Sequence, residues 1–164
     1  SAYAALVNGG IWRPATLKKV PDGQVVKGRR VFKAATSAQM NKILRMIVVD
    51  GTGNRADAPG FRVGGKTGSA EKPSGGGYSR SANVSTFAAA FPMDNPRYVV
   101  IAMLDEPQGA ASSGYARTAG MVAAPIVGRI VPRIGPLLGV MPDDRRDVDV
   151  SDLLPLLWKP KGAR

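Results

Sequence analysis

Cysteine and histidine are both absent from the 164 residues. The first absence excludes disulfide frameworks and thiolate metal sites, and the second removes the commonest general base and metal ligand at neutral pH. Neither a metal nor a cofactor is expected. Aromatic residues are scarce at 6%, and no apolar run approaches the ~18 to 20 residues that span a bilayer, because Gly, Pro or Arg interrupts each one. Acidic residues are also few, 12 against 23 Lys and Arg, for a net charge of +11. Such an excess would suit nucleic acid or an anionic lipid surface, but the cations are scattered and adjoin only in Lys18-Lys19, Arg29-Arg30 and Arg145-Arg146. With so few aromatics beside them, no nucleic-acid partner is expected. The chain opens SAYAALVNGG, without an initiator Met, a basic flank or a small-residue cleavage site, so it reads as the continuation of a longer protein rather than as a signal peptide.

What is present, 44% hydrophobic and 21% charged residues, describes one folded domain with no internal repeat. AYAALVN predicts the end of a helix stopped by Gly9-Gly10, followed by the extended IWRPATLKKV. PDGQVVKGRRVFK, with turn signals at Asp22-Gly23 and Gly28, predicts a small ribbon. From Ser37, SAQMNKILRMIVVDG sets Met40, Ile43, Leu44, Ile47 and Val48 on one helical face, with Ser37 as N-cap and Gly51 as the stop. A polar loop, GTGNRADAPG, leads into FRVGGKTGSAEK, extended until Pro73 and Gly75 to Gly77 break it. VSTFAAAFP and RYVVIAMLDEP, joined by Met93-Asp94-Asn95-Pro96, predict an antiparallel hairpin. ASSGYARTAGMVAAPIVGRIVPRIG predicts a helix kinked at Pro125 and ended near Pro132. Residues 136–164 read as a charged, then amphipathic, surface tail.

GFRVGGKTGS admits two readings. From Gly60 it fits G-x-x-x-x-G-K-[ST], a phosphate-cradling loop, and Asp105-Glu106 after an apolar run imitates a magnesium-binding strand. Such a loop must join a buried strand to a helix, whose N-terminal N–H groups hold the phosphates. Here DAPG precedes and Gly68, Pro73 and three glycines follow, so nucleotide hydrolysis is a remote alternative. From Lys66 the same letters are an extended Lys-Thr-Gly-Ser, suited to pairing with a peptide by β-augmentation. Lys66 supplies positive charge, Thr67 and Ser69 offer hydroxyls to a carboxylate, and Gly68 keeps a Cβ out of the way.

Around that motif, DGTGNRADAPGFRVGGKTGSAEK resembles the approach to Lys-Thr-Gly in the class B penicillin-binding proteins. SAYAALVNGGIWRPATL resembles the segment before it and AAPIVGRI the C-terminal helix of the same domain. The resemblance covers residues 1–135 in family order and is greatest to the division-type peptidoglycan D,D-transpeptidases. It implies an α+β fold, an antiparallel sheet with packed helices like that of serine β-lactamases, here as the C-terminal portion only. The family uses a Ser-x-x-Lys nucleophile, a Ser-x-Asn loop and the Lys-Thr-Gly strand. Ser69-Ala70-Glu71-Lys72 fits the first by letters, but on a strand an odd separation sends the two side chains to opposite faces. Ser81-Ala82-Asn83 fits the second but follows Lys-Thr-Gly instead of preceding it. The resemblance therefore implies that the nucleophile lies upstream of Ser1, that Lys66 and Ser69 are the catalytic contributions of this chain, and that Thr67, Gly68 and Ser69 bind substrate. It also implies peptidoglycan stem peptides and β-lactams as ligands, divisome membrane proteins as partners, and a place on the periplasmic face of the inner membrane with the anchor outside this chain. A non-catalytic interaction module of the same family is the alternative, and a Ser-x-x-Lys upstream would discriminate.

Overall fold

A computed structural model describes residues 1–157. Helix α1 (Ala2–Val7) stops where Gly9 and Gly10 take φ of 86° and 88°. Gly10 is also obligatory for space, since a Cβ there would lie 2.3 Å from the Phe32 carbonyl oxygen. The chain then forms β1 (Ile11–Trp12), which pairs antiparallel with β2 (Arg29–Arg30), Ile11 opposite Arg30. The ribbon is thus closed between distant segments and not within residues 21–33 as the turn signals predict.

Helix α2 (Ala34–Asp50) begins before Ser37, with Lys33 as its N-cap. Ser37 is buried inside the helix, and its hydroxyl donates to Leu6 O (2.6 Å) while accepting from Gly9 N–H (3.0 Å). The expected cap is instead a strap between two helices, because a partner on α1 outcompetes the local backbone. Leu44 and Val48 are buried as the expected face requires, but Arg45 and Met46, which lie off that face, are buried with them and Ile43 is left exposed.

Three strands follow as an antiparallel meander, β3 (Gly64–Ser74), β4 (Gly77–Phe91) and β5 (Tyr98–Asp105), in the order β3-β4-β5. Lys66 is opposite Ala88 and Ser69 opposite Ser85. The strand does not break at Pro73. It runs on to Ser74 and reverses through Gly75 and Gly76, both at positive φ. An edge strand tolerates the missing N–H of proline. The register slips once, between Glu71 and Lys72.

The expected long helix is resolved into a 3-10 turn at Ala111–Ser113, a short α3 (Ala119–Val122) and α4 (Ala124–Ile134). Pro125 sits in the first turn of α4, where its lost donor has no partner to miss. Pro132 lies inside the helix on its exposed side and does not end it. Phe61, Val63, Phe87, Phe91, Val127 and Val131 form the main core between this helix and the sheet, while α1 and α2 cover Ala90 and Met93 in a second cluster. The result is the α+β arrangement of antiparallel sheet and packed helices. Among the described residues no helix is long and apolar enough to cross a membrane.

The segment after Gly135 is bound to the body rather than hanging from it. Val140 is buried in the main core and Val148 packs on the second cluster. The last residues of the amphipathic stretch, 158–164, lie outside the described residues.

The β4–β5 turn carries Asp94, bonded to Arg62 Nε (2.7 Å) and to Arg146. Burial alone would raise its carboxyl pKa, but the Arg62 bond and the two cations outweigh it and hold the group below the usual carboxylate range. A depressed folded value stabilises above the unfolded pKa of about 3.9 and is lost as pH falls through the folded value. Asp94→Asn is therefore expected to lower the urea midpoint at pH 7 and to converge on the parent as the pH is taken below 4. A difference independent of pH would overturn this account.

Candidate active site

Two consecutive glycines lead into the motif because other parts of the protein press on the backbone there. A Cβ at Gly64 would lie 2.6 Å from Met93 Cγ and 3.0 Å from Arg45 N, and one at Gly65 would lie 2.7 Å from the Phe87 ring. Helix α2 and the sheet interior can approach the start of β3 only if both side chains are absent. No helix follows Lys66, which lies within β3. The phosphate-loop reading fails on this point, since its lysine must stand at a helix N-terminus.

Strand alternation directs Thr67 and Ser69 to one face and Lys66 and Gly68 to the other. Thr67 and Ser69 line a cleft of about 420 Å³ together with Thr52, Asn54, Thr118 and Gly120. Lys66 lies on the far face, but its ammonium folds back round the strand to donate to Thr67 Oγ1 (2.9 Å) and Thr67 O (3.1 Å). The Thr67 hydroxyl is also 3.2 Å from that of Thr52. Charge, two hydroxyls and the loop after α2 are thus joined in one chain of hydrogen bonds. Ser69 Oγ accepts from Ala119 N–H at 3.1 Å, which occupies a lone pair and leaves the hydroxyl hydrogen available to the cleft. Gly68 stays outside the cleft, and a Cβ there would meet nothing nearer than Thr86 O at 3.8 Å, so the fold itself does not require glycine at this position.

The strand carrying these groups is the edge of the sheet, and among the described residues none pairs with its outer side. An extended peptide laid along it would meet unpaired backbone groups and the two hydroxyls together. A second cleft of about 290 Å³ continues from Ser69 along Glu71, Asn83, Arg117 and Thr118.

Sequence alone did not mark Thr52, Asn54, Thr118 or Gly120. Thr52 stands in the polar loop GTGNRADAPG, but nothing local signals that its hydroxyl meets Thr67. Gly120 must be glycine, since a Cβ would lie 2.5 Å from Thr52 O. That contact sets α3 against the loop, and both line the cleft with the strand.

The letter matches to other catalytic motifs are engaged elsewhere. Lys72 bonds Asp105 Oδ1 (2.6 Å) and Glu106 Oε1 (2.8 Å), and these two carboxylates, Asp105 first, raise its pKa, so it is not directed at Ser69. The same pairing accounts for the acids at the end of β5, and among the described residues no cluster of three or more acidic groups stands where a cation would need it. Asn83 Nδ2 donates to Ser85 Oγ (2.9 Å) and Arg117 O (3.1 Å). The side chain of Ser81 lies outside the described residues.

Residues 1–131 match the family of penicillin binding protein transpeptidase domains. The chain is 50% identical over 148 residues to a probable peptidoglycan D,D-transpeptidase of Caulobacter vibrioides, covering 85% of this chain and 25% of that protein. It superposes on the transpeptidase domain of Burkholderia pseudomallei penicillin-binding protein 3 with a TM-score of 0.74 at 36% identity, covering 87% of this chain and 42% of that one. Penicillin-binding protein 3 of Mycobacterium tuberculosis, solved with ampicillin, gives a TM-score of 0.70 at 31% identity over 86% of this chain and 34% of that one. The chain therefore spans about a quarter of the length of the curated relative and well under half of the solved ones.

Proposed function

Because the chain belongs to the penicillin-binding protein transpeptidase domain family, we propose that it forms the strand wall of a peptidoglycan D,D-transpeptidase that cross-links septal cell wall. The nucleophilic serine, its lysine and the Ser-x-Asn loop then lie upstream of Ser1. In this reading the serine oxygen bonds to the carbonyl carbon of a D-Ala-D-Ala peptide, and the C–N bond breaks as the leaving D-Ala amine takes the proton. An amine of a neighbouring stem peptide then attacks the ester, forming the cross-link and returning the serine.

One observation carries the reading. The hydroxyls of Thr67 and Ser69 face the same cleft from an edge strand, with the Lys66 ammonium on Thr67 Oγ1. A donor stem peptide aligned on that edge puts its terminal carboxylate against two hydroxyl donors backed by a cation, the arrangement that charge-assisted recognition needs. The Ser69 backbone N–H contributes half of the oxyanion hole. A β-lactam carries a carboxylate in the same relation to its reactive carbonyl, and the likeness to an ampicillin-bound relative supports it as a ligand. Periplasmic location, an inner-membrane anchor and divisome membrane proteins as partners belong to this proposal.

The test compares two proteins. The full-length protein is expected to form a stable covalent adduct with a fluorescent penicillin, and the 164-residue chain alone is expected to form none. Its single Ser-x-x-Lys match, Ser69 to Lys72, lies on a strand with the lysine held by Asp105 and Glu106. An adduct on the isolated chain that is lost in Ser69→Ala would overturn the upstream assignment.

A further inference from the structure

We propose that the C-terminal segment beyond the family match, through Asp143, Arg146 and Asp147, is a clasp that positions the Lys66 strand for acylation, a role that rests on the function proposed above. The match to the family's domain model ends at residue 131. The chain beyond it nevertheless returns to the residues immediately before β3.

Two buried arginines receive it there. Arg45 of α2 is 6% exposed, and its Nε and Nη2 donate to both carboxylate oxygens of Asp147 (2.8 and 2.6 Å). Its Nη1 donates to Asp57 Oδ1 (2.8 Å) and to Val63 O (2.9 Å), the carbonyl just before Gly64. Burial by itself would disfavour the guanidinium charge, and Asp147 and Asp57 more than restore it. Arg62 is 5% exposed and takes φ of 50°, a left-handed turn unusual for a residue with a side chain. Its Nη1 donates to Gly60 O and to Asp143 O (3.2 Å), and its Nε to Asp94, which Arg146 also holds. Asp143 N–H closes the clasp on Gly60 O at 2.9 Å. Gly60 must lack a side chain for this, because a Cβ would lie 2.8 Å from Pro142 Cβ and 2.9 Å from Asp143 N.

The mechanical consequence follows from the sheet. As an edge strand, β3 is fixed on one side by β4 and is open on the side where substrate lies. Its direction is set by the left-handed turn at Arg62, and that turn is held by the segment around Asp143 and Asp147. Catalytic groups must stay within about 0.5 Å of productive geometry, and misplacement by ~1 Å can cost on the order of 100-fold in rate. Asp143, Arg146 and Asp147 are positioning residues in this sense, acting on Lys66, Thr67 and Ser69 through the backbone.

The experiment uses the full-length protein and a fluorescent penicillin, reading the saturating acylation rate and the apparent binding constant separately. Amide hydrogen exchange along residues 60–70 is followed at a temperature where each variant is folded. Asp147→Asn is expected to lower the saturating rate by ~10- to 100-fold and to raise exchange at residues 60–70 above any change in α4. Arg146→Ala, which removes an exposed link and leaves Arg45 fully paired, is expected to act in the same direction by several-fold. Asp152→Asn, which breaks only the exposed pair with Lys42 (3.1 Å), is expected to leave both readouts unchanged. Folded Asp147→Asn that acylates at the parent rate overturns the clasp, as does exchange that rises uniformly with a rate loss matching the unfolded fraction. If Asp147→Asn does not fold, Arg146→Ala decides by the same criteria. If the parent itself forms no adduct, the proposed function fails, and selective exchange at residues 60–70 still decides whether the clasp holds the strand.

Discussion

Lys66→Ala in the full-length protein is expected to slow acylation by a β-lactam by roughly 2 to 4 kcal/mol of barrier, a factor of tens to hundreds. The ammonium is the positive charge bonded to the Thr67 hydroxyl, so its removal takes the charge from the proposed carboxylate site and loosens the Thr52–Thr67 pair as well. Thr67→Val keeps the shape and removes one hydroxyl, for an expected loss of about 1 to 2 kcal/mol. Ser69→Ala keeps the backbone N–H but orphans Ala119 N–H, which the serine oxygen accepts at 3.1 Å, so its loss should be comparable to that of Thr67→Val and smaller than that of Lys66→Ala. Acylation rates with one β-lactam across the three variants test the ranking. Abolition by Ser69→Ala with a silent Lys66→Ala would make Ser69 the nucleophile and remove the basis for an upstream one.

Phe87→Ala is expected to be the most destabilising single truncation near the site, by about 3 to 5 kcal/mol. Phe87 is fully buried on β4 directly opposite Thr67. Its ring lies against Gly65, and a Cβ at Gly53 would stand 3.1 Å from it, so one side chain spaces the motif strand from the loop after α2. Removing the ring deletes apolar burial and leaves a cavity under the cleft, bordered by Gly53 and Gly65, which carry no side chain to fill it. Phe87→Leu refills most of that volume and should cost less than half as much. Guanidinium denaturation of the full-length variants measures both. A loss below about 1 kcal/mol for Phe87→Ala would mean that the strand and loop are spaced by something other than this ring.

The motif shows how far local pattern reaches. Glycines after Thr67 and the absence of a helix-forming run were sufficient to read Lys-Thr-Gly-Ser as a strand and not a phosphate loop. The alternation that follows from a strand already puts Thr67 and Ser69 on one face. Which groups face them was not legible, because Thr52 is separated from Thr67 by 15 residues and Ala119 from Ser69 by 50, and no periodicity connects such positions.

By itself the sequence determined the elements whose cause is local. Gly9-Gly10 had to end α1, the apolar spacing from Leu44 to Val48 had to make a buried helical face, and the β-prone runs on either side of the turn-rich Met93–Pro96 had to form a hairpin. These outcomes follow from backbone freedom and side-chain period, which act over a few residues. Only the tertiary structure decided the rest. Ser37 became a strap because Leu6 O came within 2.6 Å, and Arg45 was buried because Asp147, 102 residues away, arrived to neutralise it. A cation enters a core only where its counter-charges are already assembled. That assembly is a property of the folded chain and has no signature in the residues flanking Arg45.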